Sequence, residues 1–313
     1  MGDLSRAGLA AAWQRLSPNH RGALWMIAAS AGFTVNSAFV KTLSSEGLDA
    51  FQIGFARALF SFAALVPFCY RAGIGVWRSK APGLQAVRSI SAGLAMVAGF
   101  YAVGQLPLAE FTALTFTLPL FVVLLAVLML KEQVRWRRWL ATLAGFAGVL
   151  IMVRPGAAAF DPAALVALAS VLGIAVAVML VKKLPAGESH VTMLIYFCLA
   201  SIAITIGPAF YAWQWPTAFQ WLLLAAVGFL GVGSQAMIIR AYRIGEASFV
   251  APFDYLKLIL AGAIGFLIFA EVPDFWTVAG AGLIVASTFY IARREAAQRA
   301  ASAAPPAEKS LHP

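Results

Sequence analysis

Ten apolar runs separated by short polar connections take up most of the chain. They lie at about 22–41, 50–70, 84–104, 109–130, 136–153, 162–181, 190–212, 217–239, 247–270 and 274–292. Each comes close to the roughly 20 residues a helix needs to cross the hydrocarbon core of a bilayer. A backbone in hydrocarbon must satisfy its own hydrogen bonds, so such runs predict membrane-spanning helices. Several connections barely reach five residues, which leaves no room for a soluble domain. The pattern therefore predicts an all-α membrane protein of ten transmembrane helices. Residues 1–21 form a polar arm in which 7–16, with Trp13 at the membrane surface, suits an interfacial amphipathic helix. Residues 293–313, rich in Ala, Pro and charge, predict a disordered tail. A cleavable signal peptide is not expected, because the start of the chain is polar and the first apolar run has full span length.

Composition agrees with this reading. The chain is 62% apolar and 12% charged, about half the charge of a soluble domain, and its mean hydropathy is +0.84. The net charge of +10 suggests nucleic acid until the charges are placed. Counted from an internal N-terminus, inner segments hold 19 of the 23 Lys and Arg residues. Outer segments hold only Lys41 and Arg154, and Arg57 and Lys257 lie within runs. That asymmetry is the positive-inside signature. It predicts both termini in the cytoplasm and explains the basic charge with a lipid bilayer as partner and no nucleic acid. Cys69 and Cys198 fall in apolar runs with no metal or disulfide spacing and are read as buried thiols.

The chain also echoes itself. The stretch from Leu106 runs through a small residue, Ala109, and one apolar span to Glu132 and Trp136. The stretch from Ile244 runs through Ala247 and one apolar span to Glu271 and Trp276. Upstream, Val40-Lys41-Thr42-Leu43 echoes Val181-Lys182-Lys183-Leu184. Five spans per half is an odd number, so the second half enters the membrane from the opposite face. The expectation is two inverted five-helix repeats, 22–156 and 157–292. Inverted repeats give secondary transporters two access states around a midplane site.

Polar groups inside the runs are the candidates for chemistry. Asp254 and Lys257 share a helical face three residues apart, and charge at mid-membrane is costly unless it faces protein or water. They are read either as an ion pair locking helices or as the lining of a polar path. Ser30, Thr34, Ser37 and Lys41 form one face of the first span, either bonding their own backbone or facing a cavity. Thr112, Thr115 and Pro119 share a face of the fourth span, with Glu110 at its outer end. Pro119 removes a backbone donor and frees a carbonyl. Ser234 and Gln235 follow Gly228, Gly231 and Gly233, which suit close helix packing. Ser91 and Gln105 add polar groups in the third span. Phe100, Tyr101, Phe253 and Tyr255 are aromatic faces for a flat solute, or plain packing. Arg57 is read as snorkelling or as bonding carbonyls to hold the fold. Of the histidines, His20 and His312 lie outside the runs and His190 stands at the very start of the seventh, so none is placed as a proton relay within the membrane. If transport is coupled to protons, Asp254 leads and Glu110 follows. No Walker loop, metal cluster or Ser/His/Asp set occurs in the runs, so neither ATP, a cofactor nor enzymatic chemistry is expected.

The five-plus-five layout, Arg57 within QIGFARALF, the two span–Glu–loop–Trp units, and the glycines Gly145, Gly148, Gly280 and Gly282 together resemble the drug/metabolite transporters built from two EamA domains. The resemblance covers about residues 24–292. It implies a central cavity lined mainly by spans 1, 3, 4, 6, 8 and 9, with 5 and 10 peripheral. On that ground a structural role is favoured for Arg57. The Arg154-Pro155-Gly156 turn and the FDYLKL of span 9 are most similar to bacterial uptake branches for riboflavin or S-adenosylmethionine. One departure is that Lys257 stands where span 4 has Pro119, which gives the second half a charge in place of a kink.

The leading expectation is a secondary transporter in the bacterial cytoplasmic membrane that moves a small organic solute by alternating access. A flat aromatic solute such as an aromatic amino acid, or a zwitterion matched by Asp254 and Lys257, suits the lining, the resemblance implies riboflavin or S-adenosylmethionine, and the protein is a monomer or a homodimer. An integral-membrane enzyme and a structural subunit are the alternatives. The architecture does not set import against export.

Overall fold

The computed structural model describes residues 16–131, 136–154, 160–185 and 187–303. The expected interfacial helix at 7–16 falls almost wholly outside them. Glu132, Pro155, Gly156 and the last ten residues of the tail also lie outside the described residues.

Helices form where the runs predict them. Four start at side-chain caps that satisfy orphan N–H groups. Ser17 caps α1 (Pro18–Ser45), with Pro18 in the first turn where its missing N–H costs nothing. Asp49 accepts from Phe51 N–H to start α2 (Ala50–Ala72). The remaining helices of the first half are α3 (Pro82–Gln105), α4 (Leu108–Thr115), α5 (Leu118–Leu130) and α6 (Trp136–Val153). In the second half, α7 is Ala163–Lys183, and Ser189 caps α8 (His190–Tyr211). A reciprocal capping box of Thr217 and Gln220 starts α9 (Ala218–Ile244). Then come α10 (Ala247–Val250), a 3-10 turn at Ala251–Tyr255, α11 (Leu256–Phe269) and α12 (Phe275–Ala303). The last helix runs past Arg293, where the sequence suggests a tail. Residues up to Ala303 are Ala, Arg, Glu, Gln and Ser, with no breaker before Pro305, so their helix propensity carries the helix on.

Among the described residues, eight segments are long and apolar enough to cross a membrane, and Trp139–Val153 and Phe275–Ile291 are shorter apolar helices. No strand occurs among the described residues. The outer surface is apolar: Phe266, Leu267 and Ile268 are 60%, 78% and 65% exposed, the arrangement a lipid solvent requires. This is a multi-pass membrane protein.

Helix pairing follows the two halves. The most extensive packing joins α1 with α9, α3 with α7, α6 with α12, and α2 with α8. Exchanging first-half for second-half spans leaves that set unchanged. Polar clasps hold the pairs. Ser91 donates to Gly173 O at 2.9 Å and Ser170 to Ala95 O at 2.7 Å across α3 and α7. Asn36 donates to Val227 O at 2.7 Å across α1 and α9. Gly148 and Gly280 bring α6 and α12 into backbone contact, since a Cβ on Gly148 would stand 2.9 Å from Gly280 O.

The echo at the ends of spans 4 and 9 is also structural. Lys131 and Ala270 each end their helix in the left-handed region, at φ 54° and 53°. Each returns its N–H to a carbonyl five residues back, Ala126 or Gly265. A non-glycine residue there costs on the order of 1 kcal/mol, so the shared geometry is a built terminator. Both spans are interrupted. Span 4 breaks between α4 and α5 at Phe116–Thr117, and span 9 passes through the 3-10 turn that contains Pro252. The second half therefore carries a break as well as the charge of Lys257. Pro252 lies five residues before Lys257, the place that matches Pro119.

Candidate functional site

Both interruptions face one internal cavity of about 510 Å3. Thr115, Phe116, Leu118 and Pro119 border it from the first break, and Asp254 and Lys257 from the second. Irregular backbone is tolerated at membrane depth only where protein or a polar cavity covers it. Here the span-4 hydroxyls help: Thr112 donates to Leu108 O, Thr115 to Thr112 O and Thr117 to Leu114 O, at 2.6–2.7 Å. Thr112 and Thr115 therefore line the cavity with hydroxyls already committed to their own helix.

Asp254 and Lys257 form an ion pair at 2.5 Å, with side chains 29% and 18% exposed. Ser30 donates to the same Asp254 oxygen, Oδ1, at 3.2 Å. The Lys257 ammonium also lies 5.1 Å from the centre of the Phe33 ring, a cation–π arrangement. Thr34 lines the cavity while donating to Ser30 O at 2.9 Å, and Ser37 lines it beside them. The polar stripe of α1 thus divides: one hydroxyl supports the acid, one bonds its own helix, and Ser37 faces the cavity.

Other residues of the sequence reading stand elsewhere. Tyr255 turns away to the α12 side, sharing a hydrogen bond with Thr288 at 3.1 Å and packing on Phe116 at 5.0 Å. It shapes the wall from behind. Phe253 packs with Phe249, 5.8 Å away, in a cluster with Met26 and Ala241. Tyr101 is 48% exposed on the outer surface. Ser234 is buried against Gly32, and Gln235 is exposed. Glu110 is half-buried in the first turn of α4 and does not border the cavity.

The cavity brings in groups that the sequence reading left aside. Arg57 of α2 and Phe197 of α8 line it, so spans 2 and 7 contribute to the wall. Asn36, Phe33 and Phe111 also line it. Asn36 follows Thr34 by two residues and lies off the stripe, toward α9, where it donates to Val227 O; an amide in an apolar run was the signal available for it.

A second charged node ties the halves. Lys41 Nζ lies 2.6 Å from Glu271 Oε1 and donates to Leu106 O at 2.5 Å, while Glu271 Oε2 accepts from Leu108 N–H at 2.7 Å. Outside the spans, Arg154 pairs with Asp274 at 2.5 Å. Hydrogen bonds from Thr277, and the Arg154 guanidinium, hold the Asp274 carboxyl below its ordinary range.

A membrane-embedded cavity bordered by one interrupted helix from each half is the construction of a secondary transporter. The EamA-like transporter family model matches residues 20–154 and again 161–293, and the chain belongs to this family. It is 29% identical over 270 residues to the S-adenosylmethionine uptake transporter of Rickettsia prowazekii, covering 86% of this chain and 92% of that protein. It is 32% identical over 279 residues to the riboflavin transporter of Vibrio cholerae, covering 88% and 94%. It is 30% identical over 274 residues to the pseudopaline exporter CntI of Pseudomonas aeruginosa, covering 87% and 96%. A solved protein crystal structure, 21% identical, superposes with a TM-score of 0.57 over 88% of this chain and 98% of that one. That likeness shows a shared fold.

Proposed function

We propose that this protein is a secondary transporter that moves a small organic metabolite across the bacterial cytoplasmic membrane by alternating access. Its frame is ten spans in two inverted five-helix repeats, about 22–156 and 157–292, with both termini inside. The observation that carries this reading is a cavity bordered by the interrupted helices of both halves, with the Asp254–Lys257 pair on its wall. Rocking two related halves about such a site exposes it to each side in turn. The odd span count per half and the distribution of Lys and Arg support opposed insertion of the repeats.

The relatives support S-adenosylmethionine, riboflavin or a related flat metabolite, such as an aromatic amino acid, as the solute. The phenylalanines around the cavity suit a flat ring system. Uptake is the favoured sense. The pseudopaline exporter among the relatives is the specific reason to test export as well. Asp254 is the first candidate for proton coupling, since its carboxylate borders the cavity and shares a cation, and Glu110 is the second. The protein works as a monomer or homodimer.

Thermal-shift screening of the purified protein against a metabolite panel identifies ligands, because a ligand that binds the folded state stabilises it by RT ln(1 + [L]/Kd). Uptake of the hits into proteoliposomes, with and without an imposed pH gradient, then tests transport and coupling. Movement of no solute in either direction would overturn the reading. Asp254→Asn is expected to abolish pH-driven accumulation, and an unchanged pH dependence removes Asp254 from coupling.

A further inference from the structure

The charges on the cavity wall do not balance. Among the lining residues they are Asp254, Lys257 and Arg57. Asp254 and Lys257 answer each other at 2.5 Å. Arg57 is left over. No described residue gives it a hydrogen bond or an ion pair, and its Nε is buried without a partner. Its neighbours are the Phe100 and Phe197 rings, 5.4 and 6.0 Å from the guanidinium carbon, and Gly231, where a Cβ would stand 3.1 Å from Nε and Nη2.

A structural arginine in this protein looks different. Arg88 donates to Met193 O at 3.1 Å and so joins α3 to α8. Arg57 holds no carbonyl. Ring faces offset part of the cost of burying a cation, but they offer none of the oxygen acceptors that its five N–H groups are built for. Gly231 leaves room for the guanidinium on the α9 side, and the group borders the cavity. A cation held at membrane depth among ring faces, with its Nε buried and its remaining surface on the cavity, favours an anion beside it. The guanidinium fork fits the two oxygens of a carboxylate or phosphate side by side.

We infer that Arg57 anchors an oxyanion of the transported solute, and that this site takes metabolites carrying a carboxylate or phosphate next to a flat ring system. The inference rests on reading the cavity as the solute site. Bound solute neutralises Arg57, and the phenylalanines contact its ring, while Asp254 stays paired with Lys257. A solute with a carboxylate or phosphate beside a ring meets both demands, and a neutral flat ring meets only one.

The test compares ligand pairs that differ by the oxyanion alone. S-adenosylmethionine is set against its decarboxylated form, tryptophan against tryptamine, and flavin mononucleotide against riboflavin. Binding to purified full-length protein is followed by thermal shift and by direct titration. In at least one pair the oxyanion-bearing member is expected to bind about 10- to 100-fold tighter, the range of a charge-assisted hydrogen bond. The carboxylate and phosphate arms identify which oxyanion is taken. Arg57→Gln should erase that difference while Arg57→Lys keeps part of it. If Arg57→Gln fails to fold, the ligand pairs on the unmodified protein still decide the matter. Equal binding within every pair overturns the inference, as does an equal loss of both members in Arg57→Gln. Transport of riboflavin, or of another member of the pairs, together with equal binding in all three pairs ends the oxyanion anchor and leaves the transporter reading intact. Oxyanion-dependent binding with no transport of any bound compound in proteoliposomes does the reverse.

Discussion

Removing one member of the Lys41–Glu271 node should destabilise the protein far more than removing both. The node joins the end of α1, the turn between α3 and α4, and the end of α11, with side chains 10% and 17% exposed. In Lys41→Met the Glu271 carboxylate keeps the Leu108 N–H and loses its cation. Leaving a buried charge without its partner costs about 3 kcal/mol. At roughly 2 °C per kcal/mol for a chain of this size, Tm should fall by about 6 °C. Glu271→Leu leaves Lys41 only the Leu106 carbonyl and the Leu108 N–H without its acceptor, so a loss of about 3 kcal/mol is expected. The double variant Lys41→Met/Glu271→Leu has no orphaned charge. It should recover most of the loss and keep a deficit of about 1 kcal/mol for the unpaired Leu108 N–H. Thermal unfolding of all four proteins in one detergent closes the cycle, with an expected coupling of at least about 1 kcal/mol. Single variants within about 0.5 kcal/mol of the parent, or strictly additive losses, would show that water reaches the node and that the three elements are joined by other contacts.

Smaller changes test the remaining contacts. Gly148→Leu forces α6 away from Gly280 O and should cost about 1–3 kcal/mol, seen as a lower Tm. Ser170→Ala removes the bond to Ala95 O and should cost only about 0.6 kcal/mol, the usual worth of a hydrogen bond between membrane helices. Asp274 has its folded pKa depressed by Thr277 and Arg154. Its contribution is therefore present above the ordinary value of 3.8 and is lost as pH falls below it. The pair is exposed, so Asp274→Asn should cost well under 1 kcal/mol at pH 7, with the difference from the parent vanishing in melts at acid pH.

The sequence by itself determined the solvent and where the helices lie. Apolar runs of span length are local properties, and they survive without knowledge of contacts. The repeat was legible for the same reason, because Glu132 and Glu271 hold corresponding places in the order of residues. Only the tertiary structure decided which polar groups meet. Hydropathy cannot say which face of a helix turns to the cavity. Tyr101 and Gln235, plausible from type and depth, point outward, and Tyr255 turns behind the wall. Lys41 and Glu271, read as separate features, are partners 230 positions apart, and such pairing depends on how α1 crosses α11. The role of Arg57 was the hardest to read. A lone arginine in an apolar run suggests a carbonyl clamp or a snorkelling side chain, and only the surrounding Phe100, Phe197 and Gly231 show it without an acceptor. The number of charges in a span is written in the chain, but their balance in a cavity depends on which helices the fold brings together.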